Sequence, residues 1–471
     1  MAYDLAIVGT GFASSFFLRE YLRHARSDAR VVIVERGARE TRQWQLANRT
    51  TSRIDPDSTF RKTGLPAKTW QFTIGFGGGS NCWWGCTPRL MPNDFLMRSR
   101  YGVGNDWPLG YADLEPFYED AEAIMSISAS SRAPYPRRAA PPQPPHRFSD
   151  PDRLLADAYP DLYFPQPTAR ARVPTEGRTA CCASGVCGLC PVDAKFTIEN
   201  GLRAPYDDPR VTLRLGDDVQ SVETRGSRAT GLLTRSADGE TRLEADLVVV
   251  GAGAIFNPAI LLRSGIAHAE LGRQLFEQVS VSADIDLDGV NGFGGSTVFT
   301  GSGYMLYDGP HRASHAACLI ESWNRPDSLR WEPGRERQLL HMKFIVEDLP
   351  QANNRVTVAR DGTPEVHFAD YSPYAYRGIE RVAGAIERIL APLPVERIDF
   401  DPTPSPTEGH ILGTVVMGDD PATSVVDQWM IHHQIRNLLV IGGSAFPAGS
   451  PANPTLTISA LSLRSAAHLF A

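Results

Sequence analysis

Four of the chain's seven cysteines fall inside ten positions, in the stretch CCASGVCGLCPVDAKF (181–196). Cys181 and Cys182 are adjacent, Cys187 follows after four intervening residues, and Cys190 comes after two more, directly before Pro191. Such spacing suits soft-metal ligation: side chains on an irregular, glycine-bearing loop can converge on one cluster, and thiolates beside a closing proline recur in ferredoxin-type sites. Zinc prefers separated cysteine pairs, and adjacent cysteines do not readily close a disulfide without backbone strain. Small core residues that happen to lie close are the plainer alternative. Two residues near the carboxyl end also have useful chemistry. His410, in SPTEGHILGTVVMGDD, and Asn453, in AGSPANPTLT, each sit beside small residues at the edge of regular structure. An imidazole titrates in the range needed for proton transfer, and an amide can orient a substrate oxygen. Alone, His410 reads as a structural histidine and Asn453 as a turn or helix-cap residue before Pro454.

The elements that would position these groups begin at the amino end. YDLAIVGTGFASSFFLREYL reads as a buried strand, a glycine turn and a helix, and ARVVIVERG supplies a second apolar strand ending at Glu35. This β-α-β order is that of a dinucleotide site, with FAD and NAD both open at this point. Gly9 permits the tight turn, Gly11 lets backbone amides approach a pyrophosphate, Ser14 allows close helix–strand packing, and Glu35 is placed to accept from an adenosine ribose. A second glycine cluster, FGGGSNCWWGCTPRL (76–90), cannot be regular structure and reads as a loop pressed against something flat or charged, with Trp83 and Trp84 requiring burial. Segments between about 276 and 404, namely VSVSADIDLDGV, AACLIESWN, LLHMKFIVED and NRVTVARD, alternate as strands of an antiparallel sheet, followed by a helix around 374–391 and, at the end, an amphipathic helix after Pro454.

Seven motifs in order, GTGFAS, GGGSNCWWG, DWPLGYADLEPFYEDAE, VVVGAGAIFNPAILLRSGI, EDLPQANNRVTV, HILGTVVMG and SPANPTLT, resemble the glucose-methanol-choline (GMC) oxidoreductase family, flavoproteins that oxidise alcohols. The tail GGSAFPAGSPANPTLTISALSL looks most like the pyranose oxidase and sugar dehydrogenase side of that family. The resemblance implies an α/β fold: a Rossmann-type FAD-binding domain with an α+β substrate domain built on an antiparallel sheet. It divides the chain into a first FAD-binding part (1–130), a proline-rich excursion (131–171), the cysteine segment with a second FAD-binding part (172–275), a substrate domain (276–404) and a carboxyl-terminal FAD-binding part (405–471). It implies catalysis by His410 with Asn453 as its partner. FAD would be held by Gly9, Gly11, Ser14, Glu35, Arg36, Gly78, Gly79, Ser80, Asn81, Cys82, Val219, Gly251, Gly443, Ser444, Asn453 and Thr455.

Departures from the family carry information. Cys82 stands where covalent pyranose oxidases attach the flavin to a histidine, so dissociable FAD is expected. Gly442 and Gly443 replace an aspartate common in the family, and His432 and His433 read as a solvated loop. Cys181, Cys182, Cys187 and Cys190 resemble the segment that binds an iron-sulfur cluster (3Fe-4S, or alternatively 4Fe-4S) in bacterial FAD-dependent glucose dehydrogenase catalytic subunits, although the last gap there is one residue longer. A cluster would relay single electrons outward and make the enzyme a dehydrogenase. Without one, dioxygen could serve as oxidant, and a non-catalytic flavin-fold redox subunit is a third reading.

At 471 residues, 42% apolar and 21% charged, with a formal charge of −7, the chain has the composition of an ordinary globular protein. That charge gives no electrostatic reason to expect nucleic acid, and no apolar run suggests membrane insertion. The expected partners are a small sugar or polyol substrate, a one-electron acceptor protein or quinone, and an accessory or cytochrome subunit. The first residues carry no secretory signal pattern, so a cytoplasmic location is expected, with export on a signal-bearing partner open.

Overall fold

A computed structural model describes residues 2–470. Tyr3–Val8, Val31–Glu35 and the end of Gly239–Val250 form the centre of a parallel sheet, with Val8 in register with Val34 on one side and Val250 on the other. Both faces are covered, so these strands are almost uninterrupted aliphatic runs, and Leu5 to Val8 and Val248 to Val250 are buried. Val211–Leu215 extends one edge in parallel, Leu438–Val440 pairs with the end of Gly239–Val250, and the hairpin strands Arg228–Ser236 and Asp218–Arg225 continue the other edge antiparallel.

The first helix, Phe12–His24, starts directly after Gly11. Gly9 has φ +86°, and a Cβ there would lie 2.7 Å from the carbonyl oxygen of Gly251, so the two strand-to-helix turns meet at a point where only glycine fits. Ser14 donates to the Val8 carbonyl at 3.1 Å. The last helix, Thr455–Phe470, packs beside the first: Phe470 makes an edge contact with Tyr21 at 4.8 Å between centroids. Tyr118 of the helix Tyr111–Met125 hydrogen-bonds to Thr457 at 2.9 Å. The two chain ends therefore belong to one unit.

A six-stranded antiparallel sheet faces that unit, in the order Val395–Asp401, Val279–Leu287, Leu339–Val346, Cys318–Trp323, Phe299–Leu306 and Tyr163–Pro165. Three of the four segments expected in it are there. The fourth, Arg355–Val358, instead pairs with Pro364–Phe368 in a separate three-stranded sheet completed by Arg61–Gly64. The helix expected around 374–391 is two helices, Pro373–Ala383 and Ile386–Leu390, interrupted at Gly384. No described helix is long and apolar enough to cross a membrane.

Candidate active site

A cavity of about 680 Å³ runs between the parallel unit and the outer sheet. Gly9, Gly11, Glu35, Arg36, Gly78, Gly79, Cys82, Val219, Gly251, Gly443, Asn453, Thr455 and His410 all line it. The glycine turns form a cradle. A Cβ at Gly78 (φ +50°) would stand 3.0 Å from Gly11 Cα, yet one at Gly11 or Gly79 would meet nothing within 4 Å, so both open onto free space, Gly11 at the N-terminus of Phe12–His24. At the far end, Glu35 accepts from the Thr10 hydroxyl (2.8 Å) and from the Gly37 amide (2.9 Å), and burial pushes its pKa up. Its Oε2 also accepts from the Thr10 amide at 3.2 Å, so the remaining lone pair is on Oε1, which a ribose hydroxyl suits. Arg263 donates to the Val219 carbonyl at 2.9 Å, and Arg36 lies over the Phe256 ring.

Four residues expected at the cofactor hold the frame instead. Ser14, Ser80, Asn81 and Ser444 do not line the cavity. The Ser80 hydroxyl donates to the Gly77 carbonyl and accepts from the Ile198 amide, and the Asn81 amide donates to the carbonyls of Phe76 and Gly78. Ser444 accepts from Asn257 at 2.7 Å. The bonds of Ser80 and Asn81 pin the glycine loop in its irregular path.

At the other end of the cavity stand His410 and Asn453. His410 opens to the cavity but is otherwise enclosed, and burial lowers its pKa to about 4, against the pull of Glu408 and Glu277 and with help from Lys343 and Lys68. Its backbone amide donates to Glu277 at 2.9 Å, and its Nδ1 lies 2.5 Å from Gln278 Oε1. Glu277 is fully buried, pairs with Lys68 and also accepts from the Glu408 amide at 2.7 Å. Asn453 Oδ1 is buried and has no partner among the described residues. A buried, unpaired amide oxygen is costly unless a ligand satisfies it. Sequence reasoning missed Glu277 and Gln278; the only signal was a polar EQ pair heading an apolar strand.

The outer sheet supplies the remaining wall. Phe299, Trp323 and Trp84 form a ring cluster, with Phe299 and Trp323 at 4.6 Å and 89°. Glu321, Lys343 and Glu408 place charges beside them, and burial pushes the Glu321 carboxyl up to about 7. Gln166 donates to Glu321 at 2.8 Å.

The four cysteines do not form the expected metal cage. Among the described residues no three cysteine, histidine or carboxylate groups are placed to hold a metal. Cys181 is half-buried, with its thiol at 3.5 Å from the Thr297 hydroxyl, whereas Cys182 is exposed. Cys187 is buried in a small apolar cluster with Cys86, Val298 and Phe299, and burial raises its thiol to about 11. Cys190 accepts from the Ala194 amide at 3.4 Å. Cys182 faces solvent while Cys187 is buried, so these two thiols do not share one environment. The segment instead backs the glycine loop: the buried Lys195 donates to the carbonyls of Asn81, Trp83 and Gly188, at 2.9, 2.8 and 3.0 Å. His432, expected in a solvated loop, is fully buried with Nδ1 accepting from the amides of Gln434 and Ile435, while His433 is half-buried and bonded to Ser424.

A dinucleotide cradle facing an imidazole and an amide, beneath an antiparallel sheet, is the arrangement of a dinucleotide-dependent oxidoreductase. Family models described as GMC oxidoreductase match residues 68–280 and 350–462, and the chain belongs to that family, whose members bind FAD. It is 30% identical to 6'''-hydroxyparomomycin C oxidase of Streptomyces lividus, over 100% of this chain and 92% of that one. It is 26% identical to the fructose dehydrogenase large subunit of Gluconobacter japonicus, over 99% and 97%. The crystal structure of pyridoxine 4-oxidase from Mesorbium loti shares the fold, with a TM-score of 0.72, 18% identity and coverage of 99% of each chain.

Proposed function

We propose that the protein oxidises a hydroxyl group of a sugar, glycoside or related polyol, and that it works as a dehydrogenase handing its electrons to an external acceptor. The observation that supports this most is the pairing, at one end of the cavity, of a neutral imidazole with an unsatisfied buried amide oxygen. The cradle residues fit FAD, which when bound supplies the two-electron acceptor for a hydride from the substrate carbon. His410 takes the hydroxyl proton at Nε2, since a lowered pKa keeps that nitrogen free at neutral pH. Asn453 accepts a hydrogen bond from a substrate hydroxyl and so orients it. The ring cluster of Trp84, Phe299 and Trp323 gives the apolar faces of a sugar ring a surface, and Glu321, Lys343 and Glu408 offer partners to its other hydroxyls.

The full-length likeness to the fructose dehydrogenase large subunit and to 2-methyl-1,2-propanediol dehydrogenase of Mycolicibacterium austroafricanum, 26% identical, supports the dehydrogenase reading. The 30% identity to an oxidase favours a second reading, in which dioxygen accepts the electrons. The thiols of residues 181–190 are not arranged to carry a relay, and no step is assigned to them. Anaerobic addition of a panel of sugars and polyols, with flavin absorbance followed before and after air is admitted, tests both: bleaching that persists in air is the expected result. Rapid recovery in air would establish the oxidase, and absence of bleaching by every polyol would overturn the reading.

A further inference from the structure

Gln278 touches both halves of this site. It sits just ahead of the strand Val279–Leu287, next to Glu277, and its carboxamide is nearly fully buried. Its Nε2 donates to two backbone carbonyls, those of Ser450 and of Ala452, the latter at 2.7 Å. Carbonyl oxygens only accept, so this pair fixes which way the amide faces: turning it over would bring Oε1 against two acceptors and leave both unpaired. Oε1 is thereby directed at His410 Nδ1, 2.5 Å away. An amide oxygen also only accepts, so the proton must reside on Nδ1. Nε2 is then the nitrogen with the free lone pair, and it makes no hydrogen bond to any described residue.

We propose that Gln278 is a positioning residue that holds His410 in the Nδ1–H tautomer and ties it to the turn carrying Asn453. The direction of proton transfer rests on the proposed function; the tautomer does not. The bond to the Ala452 carbonyl lies one residue before Asn453, so a single side chain sets the separation of imidazole and amide. Glu277 completes the arrangement by fixing the His410 backbone amide at 2.9 Å. The charged groups around the imidazole are Glu277 and Glu408, which favour its protonation, and Lys343 and Lys68, which oppose it. A neutral amide at Nδ1 defines the tautomer without adding a charge that would favour imidazolium. A carboxylate there would hold the same tautomer but raise the imidazole pKa.

The direct test is a nitrogen-15 NMR spectrum of oxidised holoenzyme labelled at histidine, with the His410 signals assigned by their loss in His410→Ala. The expected result is a protonated Nδ1 and an unprotonated Nε2 near neutral pH. A protonated Nε2, or averaging between the tautomers, would overturn the proposal whatever the substrate proves to be. Two variants read the consequence. In Gln278→Glu the acid limb of the flavin-reduction rate is expected to move up by about one pH unit or more. In Gln278→Leu the limiting rate is expected to fall roughly tenfold to a hundredfold with little change in KM, and the imidazole signals to average. A Leu variant that retains both the tautomer and the rate would contradict the assignment, and if neither variant folds, the wild-type spectrum alone decides.

Discussion

Glu321 and Lys343 stand opposite each other in register on neighbouring strands of the outer sheet, and both line the cavity beside Trp323. Lys343 is already paired with Glu408, so Glu321 is the less compensated of the two carboxyls, and burial brings its pKa to about 7. It is a carboxylic acid below that pH and a carboxylate above it. Substrate affinity, measured by anaerobic titration between about pH 5.5 and 8.5, is expected to change with a midpoint near 7, and Glu321→Gln is expected to flatten the curve. An unchanged profile in the Gln variant would remove Glu321 from substrate recognition.

Replacing His410 by alanine is expected to slow flavin reduction by roughly 10²- to 10⁴-fold while FAD stays bound. In the wild type the rate is expected to hold level as pH falls towards 5 and to drop only near the pKa of about 4, because the depressed value keeps the imidazole unprotonated above it. Stopped-flow absorbance across pH checks both. Loss of FAD from His410→Ala would make the residue structural.

Gly11 separates cofactor binding from folding. Its φ of −74° suits any residue, and a Cβ there meets no protein atom within 4 Å. Gly11→Ala is therefore expected to leave the thermal midpoint of apoprotein unchanged while sharply lowering FAD content on purification. Full flavin occupancy in that variant would argue against a pyrophosphate lying over this turn.

The Lys68–Glu277 pair is almost completely buried. Lys68→Met leaves the Glu277 carboxylate without its counter-ion and is expected to destabilise the protein by about 3–5 kcal/mol in chemical denaturation. The double variant Lys68→Met/Glu277→Gln is expected to recover part of that loss. A Lys68→Met protein as stable as wild type would show that the hydrogen bonds from Thr407, Glu408 and His410 suffice to hold the carboxylate.

The parts of this fold that follow local rules could be read from the chain. Aliphatic runs flanking glycine turns give Tyr3–Val8 and Val31–Glu35, and the alternation of VSVSADIDL gives a strand of the outer sheet. Arg355–Val358 alternates equally well, but partner choice is a long-range matter, and it pairs in another sheet. His410 and Asn453 were legible only through motifs. Gln278 was not, because its role depends on three segments meeting, 277–278, 410 and 450–452, and nothing local marks that. Cysteine spacing, likewise, says how close thiols are along the chain but not which way each side chain turns; Cys182 points to solvent while Cys187 is buried against the substrate wall.

In the proposed reaction the His410 imidazole, near the carboxyl end, takes a hydroxyl proton from a substrate lying against a flavin cradled by the amino end. Its most direct test is anaerobic stopped-flow reduction of the holoenzyme by a polyol deuterated at the carbinol carbon, for wild type and His410→Ala side by side. Flavin bleaching with a primary isotope effect is expected in the wild type, and at least a hundredfold slower bleaching in the variant, about the lower bound for a lost general base. Equal rates in the two proteins, or no bleaching by any polyol, would contradict it.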